Sequence, residues 1–240
     1  MLVEVCANSL QSALNAQEAG ADRIELCSEL AVGGITPSYG LLKAVREKIK
    51  IPVHVLIRPR SGDFTFSDAE FDIMKTNIAL CRELGFAGIV SGALLPDCSL
   101  DKERTSELIT ASGDLKFTFH RAFDWVKEPF ETLVQLESIG VDYVLTSGQR
   151  KTAILAIDFL EELQQHVKRC IIMPGSGINQ HNAHQFKEKG FRALHLSAAR
   201  FSKTLEDRPG VPMNTASFLY DDGIAVTNLE IVSAVVKAVK

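Results

Sequence analysis

Leu2-Val3-Glu4-Val5-Cys6, the helix-period run Ser9–Ala19, the pair Ala19-Gly20, and then Arg23-Ile24-Glu25-Leu26-Cys27 decide the fold. Two short runs rich in Val, Ile and Leu have the character of strands in a buried parallel sheet. The segment between them carries an apolar stripe at helical spacing. Asn8 stands ahead of it with Gln11 three residues on, the pattern of an N-cap. Gly20 can adopt the left-handed backbone that closes a helix. The whole stretch reads as one β–α–β unit.

Working outward, the unit repeats. Strand-type runs recur at Val53–Ile57, Gly88–Ser91, Lys116–His120, Tyr143–Thr146, Cys170–Met173 and Ala193–Ser197. Their starts are spaced by roughly 27 residues on average, one strand–helix unit each. Leu84-Gly85, Ile139-Gly140 and Lys189-Gly190 repeat the Ala19-Gly20 ending a few residues before a strand. Ser67 with Glu70 forms a capping-box pattern before Phe71–Leu84, Pro129 opens the helix over Phe130–Ile139, and Gln180–Lys189 reads as a shorter helix. Eight such units predict an α/β fold, a single-domain TIM (β/α)8 barrel over residues 1–240. An open doubly wound sheet fits less well, because its first turn is usually glycine-rich and Cys6-Ala7-Asn8-Ser9 has no glycine. Phe201–Asn228 breaks the repeat with Arg208-Pro209-Gly210-Val211-Pro212 and Asp221-Asp222-Gly223. It reads as a long loop after strand eight (about 201–228). Leu229–Val239 then makes a closing helix with Leu229, Val232, Val235 and Val236 on one face.

Composition narrows the function classes. The chain has 240 residues, 46% hydrophobic and 23% charged, an ordinary globular profile. A chain of this size can bury roughly 70% of its unfolded surface and needs no disulfide or structural zinc. The net charge of −4 comes without a basic stripe, which argues against a nucleic-acid partner. No apolar run approaches the roughly 18 residues of a membrane span, and the first residues lack the pattern of a secretory signal. The expected location is the cytoplasm, where the five widely spaced cysteines stay reduced. Gly175-Ser176-Gly177-Ile178-Asn179-Gln180 lacks the third glycine of a dinucleotide fingerprint, and no Walker loop or nucleophile elbow occurs. No nucleotide cofactor is expected.

In a barrel of this kind the chemistry sits at the carboxyl ends of the strands. Side chains alternate faces, so Glu4 and Cys6 point one way, as do Glu25 and Cys27, His54 and Arg58, and Thr118 and His120. Buried carboxylates are costly unless paired. Glu4, Glu25, His54 and His120 are therefore candidate acid–base groups, set against the plainer reading of an internal polar network. Arg58, Arg60 and Arg121 near the mouth suit an anionic ligand. The competing reading is rim salt bridges to Asp63 and Asp124. Gly175, Gly177 and Ser197 fall at the usual phosphate location of such barrels. A buried cysteine is ordinarily a small hydrophobe. Cys6 and Cys27, however, sit at matching positions on strands about 4.8 Å apart. Two thiolates there suit Cu(I), a soft ion, whereas zinc usually wants three or four ligands.

These same strand ends carry a resemblance. Glu4-Val5-Cys6-Ala7, Gly20-Ala21-Asp22-Arg23-Ile24-Glu25-Leu26-Cys27, Gly33-Gly34-Ile35-Thr36-Pro37-Ser38, Ile57-Arg58-Pro59-Arg60-Ser61-Gly62-Asp63-Phe64, Phe119-His120-Arg121-Ala122-Phe123-Asp124, Val144-Leu145-Thr146-Ser147-Gly148 and Met173-Pro174-Gly175 are similar to segments of the CutC family, described as copper homeostasis proteins. The likeness covers about residues 1–200. It implies a TIM barrel, cytoplasmic copper handling, and Cu(I) ligands at Cys6 and Cys27. Ser176 and Leu196 depart from the family pattern. Two functional readings follow. One is a Cu(I)-binding homeostasis protein. The other is an enzyme of lyase or isomerase type that moves protons on a small anionic metabolite. Apolar surface on the outer helices suits a homo-oligomer.

Overall fold

The computed structural model describes residues 1–207, 210–211, 213 and 223–240. Its elements run β1 (Leu2–Ala7), α1 (Leu10–Glu18), β2 (Arg23–Leu26), α2 (Tyr39–Lys48), β3 (Val53–Leu56), α3 (Asp68–Glu83), β4 (Gly88–Ser91), α4 (Lys102–Ser112), β5 (Lys116–Phe119), α5 (Pro129–Ser138), β6 (Tyr143–Thr146), α6 (Ile157–Gln165), β7 (Ile171–Pro174), α7 (Ala183–Glu188), β8 (Ala193–Leu196), β9 (Ala199–Lys203), β10 (Gly223–Thr227) and α8 (Leu229–Val239). The first eight strands are parallel and pair in the order β7-β6-β5-β4-β3-β2-β1-β8. β8 thus returns to β1, and the sheet curls into a nearly closed TIM barrel whose seam lies between β7 and β8.

The local signals act as their chemistry requires. Ser67 and Glu70 form a reciprocal capping box at α3, and Pro129 occupies the first turn of α5. Gly20, Gly85, Gly140 and Gly190 hold φ of +85°, +72°, +96° and +76°, the left-handed turn that an L side chain resists. At α1 the N-cap is Ser9 rather than Asn8. The Ser9 hydroxyl accepts from the Ser12 amide, and Asn8 instead donates its side-chain amide to the Ala225 carbonyl of β10. α7 is shorter than its sequence pattern, because Asn179 and Asn182 close a turn ahead of it.

The stretch read as a loop over 201–228 has structured ends. β9 and β10 pair antiparallel, with Ala199 opposite Thr227. Asn15 of α1 ties this ribbon down by donating to the Thr227 carbonyl at 2.8 Å. Arg208, Pro209, Pro212, Asp221 and Asp222 lie outside the described residues. α8 follows and buries Val232, Val235 and Val239. Among the described residues no helix is long and apolar enough to cross a membrane.

Strand alternation sorts the core. Val3, Val5, Ile24, Leu26, Val55, Ile89 and Phe117 face the helices in one large apolar layer. Inside the barrel the apolar groups shrink to two islands, Cys6 with Cys27, Leu56 and Val90, and Leu145 with Met173 and Ala193. Much of the remaining interior is polar: Glu4, Arg23, Glu25, His54 and His195 are all buried. The outer layer supplies the cohesion, at about 1.5–3 kcal/mol per large apolar side chain. The interior is thereby free to carry charge.

Candidate metal centre and cavity

The ladder register places Glu4 opposite Arg23 on one side and His195 on the other, and Cys6 opposite Glu25. Glu4 is wholly buried. Its Oε2 lies 2.5 Å from Arg23 Nε and its Oε1 2.9 Å from His195 Nδ1. Burial alone would raise its pKa, but the Arg23 guanidinium and the His195 contact outweigh it and hold Glu4 at about 2. An ionised carboxylate only accepts, so His195 Nδ1 carries the proton between them. His195 Nε2 then faces Glu25, 3.6 Å from its Oε2. Burial works against a charged His195, yet Glu25 and Glu4 together raise its pKa. Burial raises Glu25 in turn, despite the favourable field of His195.

The sulfurs stand beside this relay. Cys6 Sγ and Cys27 Sγ are 3.5 Å apart. Their mutual hydrogen bond, then burial, pushes the Cys6 pKa well above that of an ordinary thiol, so both protons and solvent exclusion must be overcome before it ligates. Ligand atoms of Cys6, Glu25 and His195 all lie within 4.8 Å of one another. This trio can hold a metal ion, with Cys27 directly behind Cys6. His195 has the arrangement of a metal-binding imidazole, one nitrogen held by a carboxylate and the other turned to the site. Cys27 is sealed by the loop after β2. Gly34 sits there at φ +89°, where a Cβ would come within 2.7 Å of Leu56 Cδ2 and 3.6 Å of Cys27 Sγ.

Above the trio opens a cavity of about 780 Å³. Cys6, Glu25 and His195 line it, as do Arg58, His120 and Arg121, an apolar wall including Leu30, Val32, Phe64 and Trp125, and Ser176, Gly177 and Ser197. Cys27 does not reach it. Arg58 clamps the rim, donating from Nη1 to the Val32 and Gly34 carbonyls (2.8 and 3.0 Å) and from Nη2 to Gly62 (2.6 Å). Arg121 is held by Asp124, with Nε 2.7 Å from its Oδ2.

Several sequence candidates lie elsewhere. Arg60 points away from the cavity, with Nε 2.6 Å from Glu70, Nη2 3.1 Å from Asp63 and its head over Phe66. The rim salt-bridge reading fits it. Glu4 stands behind His195 and does not line the cavity. Nor does His54, whose ring fills the space left by Gly88, where a Cβ would lie 2.5 Å from Nε2. Burial, then Arg23, pulls His54 down to about 3, so it is neutral. Gly175 also stands off the cavity and makes room for Leu145 and His195. The candidate acid–base groups Glu4, Glu25, His54 and His120 are therefore split between levels of the barrel, with Glu25 and His120 on the cavity. His195 and Arg23 are the residues that strand reading passed over. The inward parity of Ala193, His195 and Ser197 was the available signal for the former.

Known proteins agree with this construction. The CutC family profile matches residues 1–200. A family protein CutC of Edwardsiella ictaluri (strain 93-146) is 48% identical over 198 residues, covering 82% of this chain and 79% of that protein. The crystal structure of the Streptococcus agalactiae protein assigned as copper homeostasis protein CutC superposes with a TM-score of 0.78 at 32% identity, covering 82% of this chain and 98% of that one. A thiamine phosphate pyrophosphorylase from Pyrococcus furiosus shares the barrel alone, at TM-score 0.62 and 14% identity over 99% and 95% of the two chains. This chain therefore belongs to the CutC family.

Proposed function

We propose that this protein takes part in copper homeostasis by binding Cu(I) at Cys6 and Cys27, with His195 completing the donor set. The observation that carries this reading is the 3.5 Å separation of the two sulfurs beside an imidazole whose far nitrogen is held by Glu4. Thiolates favour Cu(I), and imidazole is a compatible third donor. Glu25 is a harder ligand, better suited to accept a proton that leaves Cys6 as the sulfur takes the ion. Loading releases thiol protons, so affinity rises with pH. The description of the Streptococcus agalactiae relative as a copper homeostasis protein supports the choice of ion. The need for two reduced thiols supports a cytoplasmic site of action, where thiols stay reduced.

The test is competition for Cu(I) against a chromogenic chelator, using the reduced protein. One ion per chain is expected. Cys6→Ser combined with Cys27→Ser should abolish it, and His195→Gln should weaken it. Unchanged stoichiometry in the double serine variant removes the reading.

A further inference from the structure

The cavity lining includes two residues, Arg58 and His120, that each carry a buried hydrogen-bond donor without an acceptor among the described residues. Arg58 and His120 are each only 5% exposed, and among the described residues Arg58 Nε and His120 Nε2 have no partner. The Ala122 amide points at His120 Nδ1, 3.4 Å away. An amide can only donate, so the neutral ring carries its proton on Nε2, the buried nitrogen without a partner. Burial, then the nearby Arg58 charge, lowers His120 to about 3 and keeps it neutral at physiological pH. Arg58 is bound by backbone carbonyls alone, and among the described residues no carboxylate forms an ion pair with it. A buried cation without an anion, and a buried donor without an acceptor, are each costly. Both pack on one ring: Phe64 lies 4.7 Å from the His120 ring and 4.9 Å from the Arg58 guanidinium carbon. Phe64 in turn meets the exposed Trp125 at 4.9 Å. The volume, about 780 Å³, fits a small organic molecule and far exceeds the needs of a metal ion.

We infer that this part of the lining binds the carboxylate of a small organic acid, one oxygen accepting from Arg58 Nε and the other from His120 Nε2, with the carbon skeleton against Phe64 and Trp125. Both nitrogens are shut off from water beside the Phe64 ring that packs on each residue, so the carboxylate reaches them only with a shift of that ring. A monoanion matches Arg58, whose charge has no ion-pair partner among the described residues whereas Arg121 is held by Asp124, and the two free donors. A phosphate dianion would leave further oxygens unserved. The inference uses none of the copper ligands and stands independently of that reading.

Calorimetric titration of the full-length protein with benzoate, benzamide and inorganic phosphate tests it. Benzoate should bind one per chain, with benzamide and phosphate at least about ten-fold weaker. His120→Gln keeps an amide donor near the Nε2 position and should bind benzoate within about three-fold of wild type. His120→Leu should lose about ten-fold or more. Benzoate binding is measured on copper-free reduced protein, and Cu(I) loading of wild type is measured beside it, so that failure here is read apart from failure of the copper site. Absence of benzoate binding, equal affinity in wild type and His120→Leu, or a preference for phosphate would each overturn the proposal.

Discussion

Glu4 and Arg23 form a buried ion pair whose other contacts include His195, the Met173 sulfur and the face of Tyr143, 4.1 Å from the Arg23 guanidinium. Removing one partner strands the other charge. Arg23→Met should therefore cost about 3–5 kcal/mol in denaturant unfolding, and adding Glu4→Gln should recover part of it. Additive losses in the double variant would show that the two charges are not coupled. His54 gives a separate test by pH. Its folded pKa of about 3 lies below the ordinary 6.5, so folding favours the neutral ring. The contribution is complete above pH 6.5 and is lost as pH falls toward 3. Between pH 7 and pH 5 the stability of wild type relative to His54→Gln should drop by about 2 kcal/mol. A flat difference across that range would contradict a buried neutral His54.

At the scale of elements, the loop after β2 couples the rim to Cys27. Gly34 needs both its left-handed backbone and its missing Cβ. Gly140 needs only the former, because nothing lies within 4 Å of its would-be Cβ. Gly140→Ala should cost about 1–2 kcal/mol. Gly34→Ala should add about 1–3 kcal/mol of overpacking against Leu56. Equal losses in thermal unfolding would deny that the loop is packed tightly over Cys27. The strands themselves were legible in sequence, because short runs rich in Val, Ile and Leu recur and helices α1, α3, α5 and α7 close on a glycine. The inward direction of Cys6, Glu25 and Cys27 followed from the alternation of faces along a strand. Arg58 and Arg60 share a parity, yet only Arg58 turns into the cavity. β3 ends at Leu56, and beyond a strand alternation says nothing. His195 was harder to read because its contacts with Glu4 and Glu25 exist only once β8 closes on β1, across 191 residues of chain. The ribbon of β9 and β10 has no clear strand pattern, and β9 is exposed along its length.

Taken as a whole molecule, the barrel separates two tasks. An apolar shell between strands and helices gives stability, and a charged interior positions a sulfur pair beneath an open cavity. The relay Arg23–Glu4–His195–Glu25 fixes the imidazole beside the Cys6 sulfur. X-ray absorption at the copper edge, on reduced protein loaded with one equivalent of Cu(I), reads the coordination itself. Two sulfur scatterers and one imidazole nitrogen are predicted, with the sulfur signal lost in the Cys6→Ser, Cys27→Ser protein and the nitrogen signal lost in His195→Gln. A shell of oxygen and nitrogen alone, or sulfur scattering that survives removal of both cysteines, would contradict a copper site built on Cys6 and Cys27.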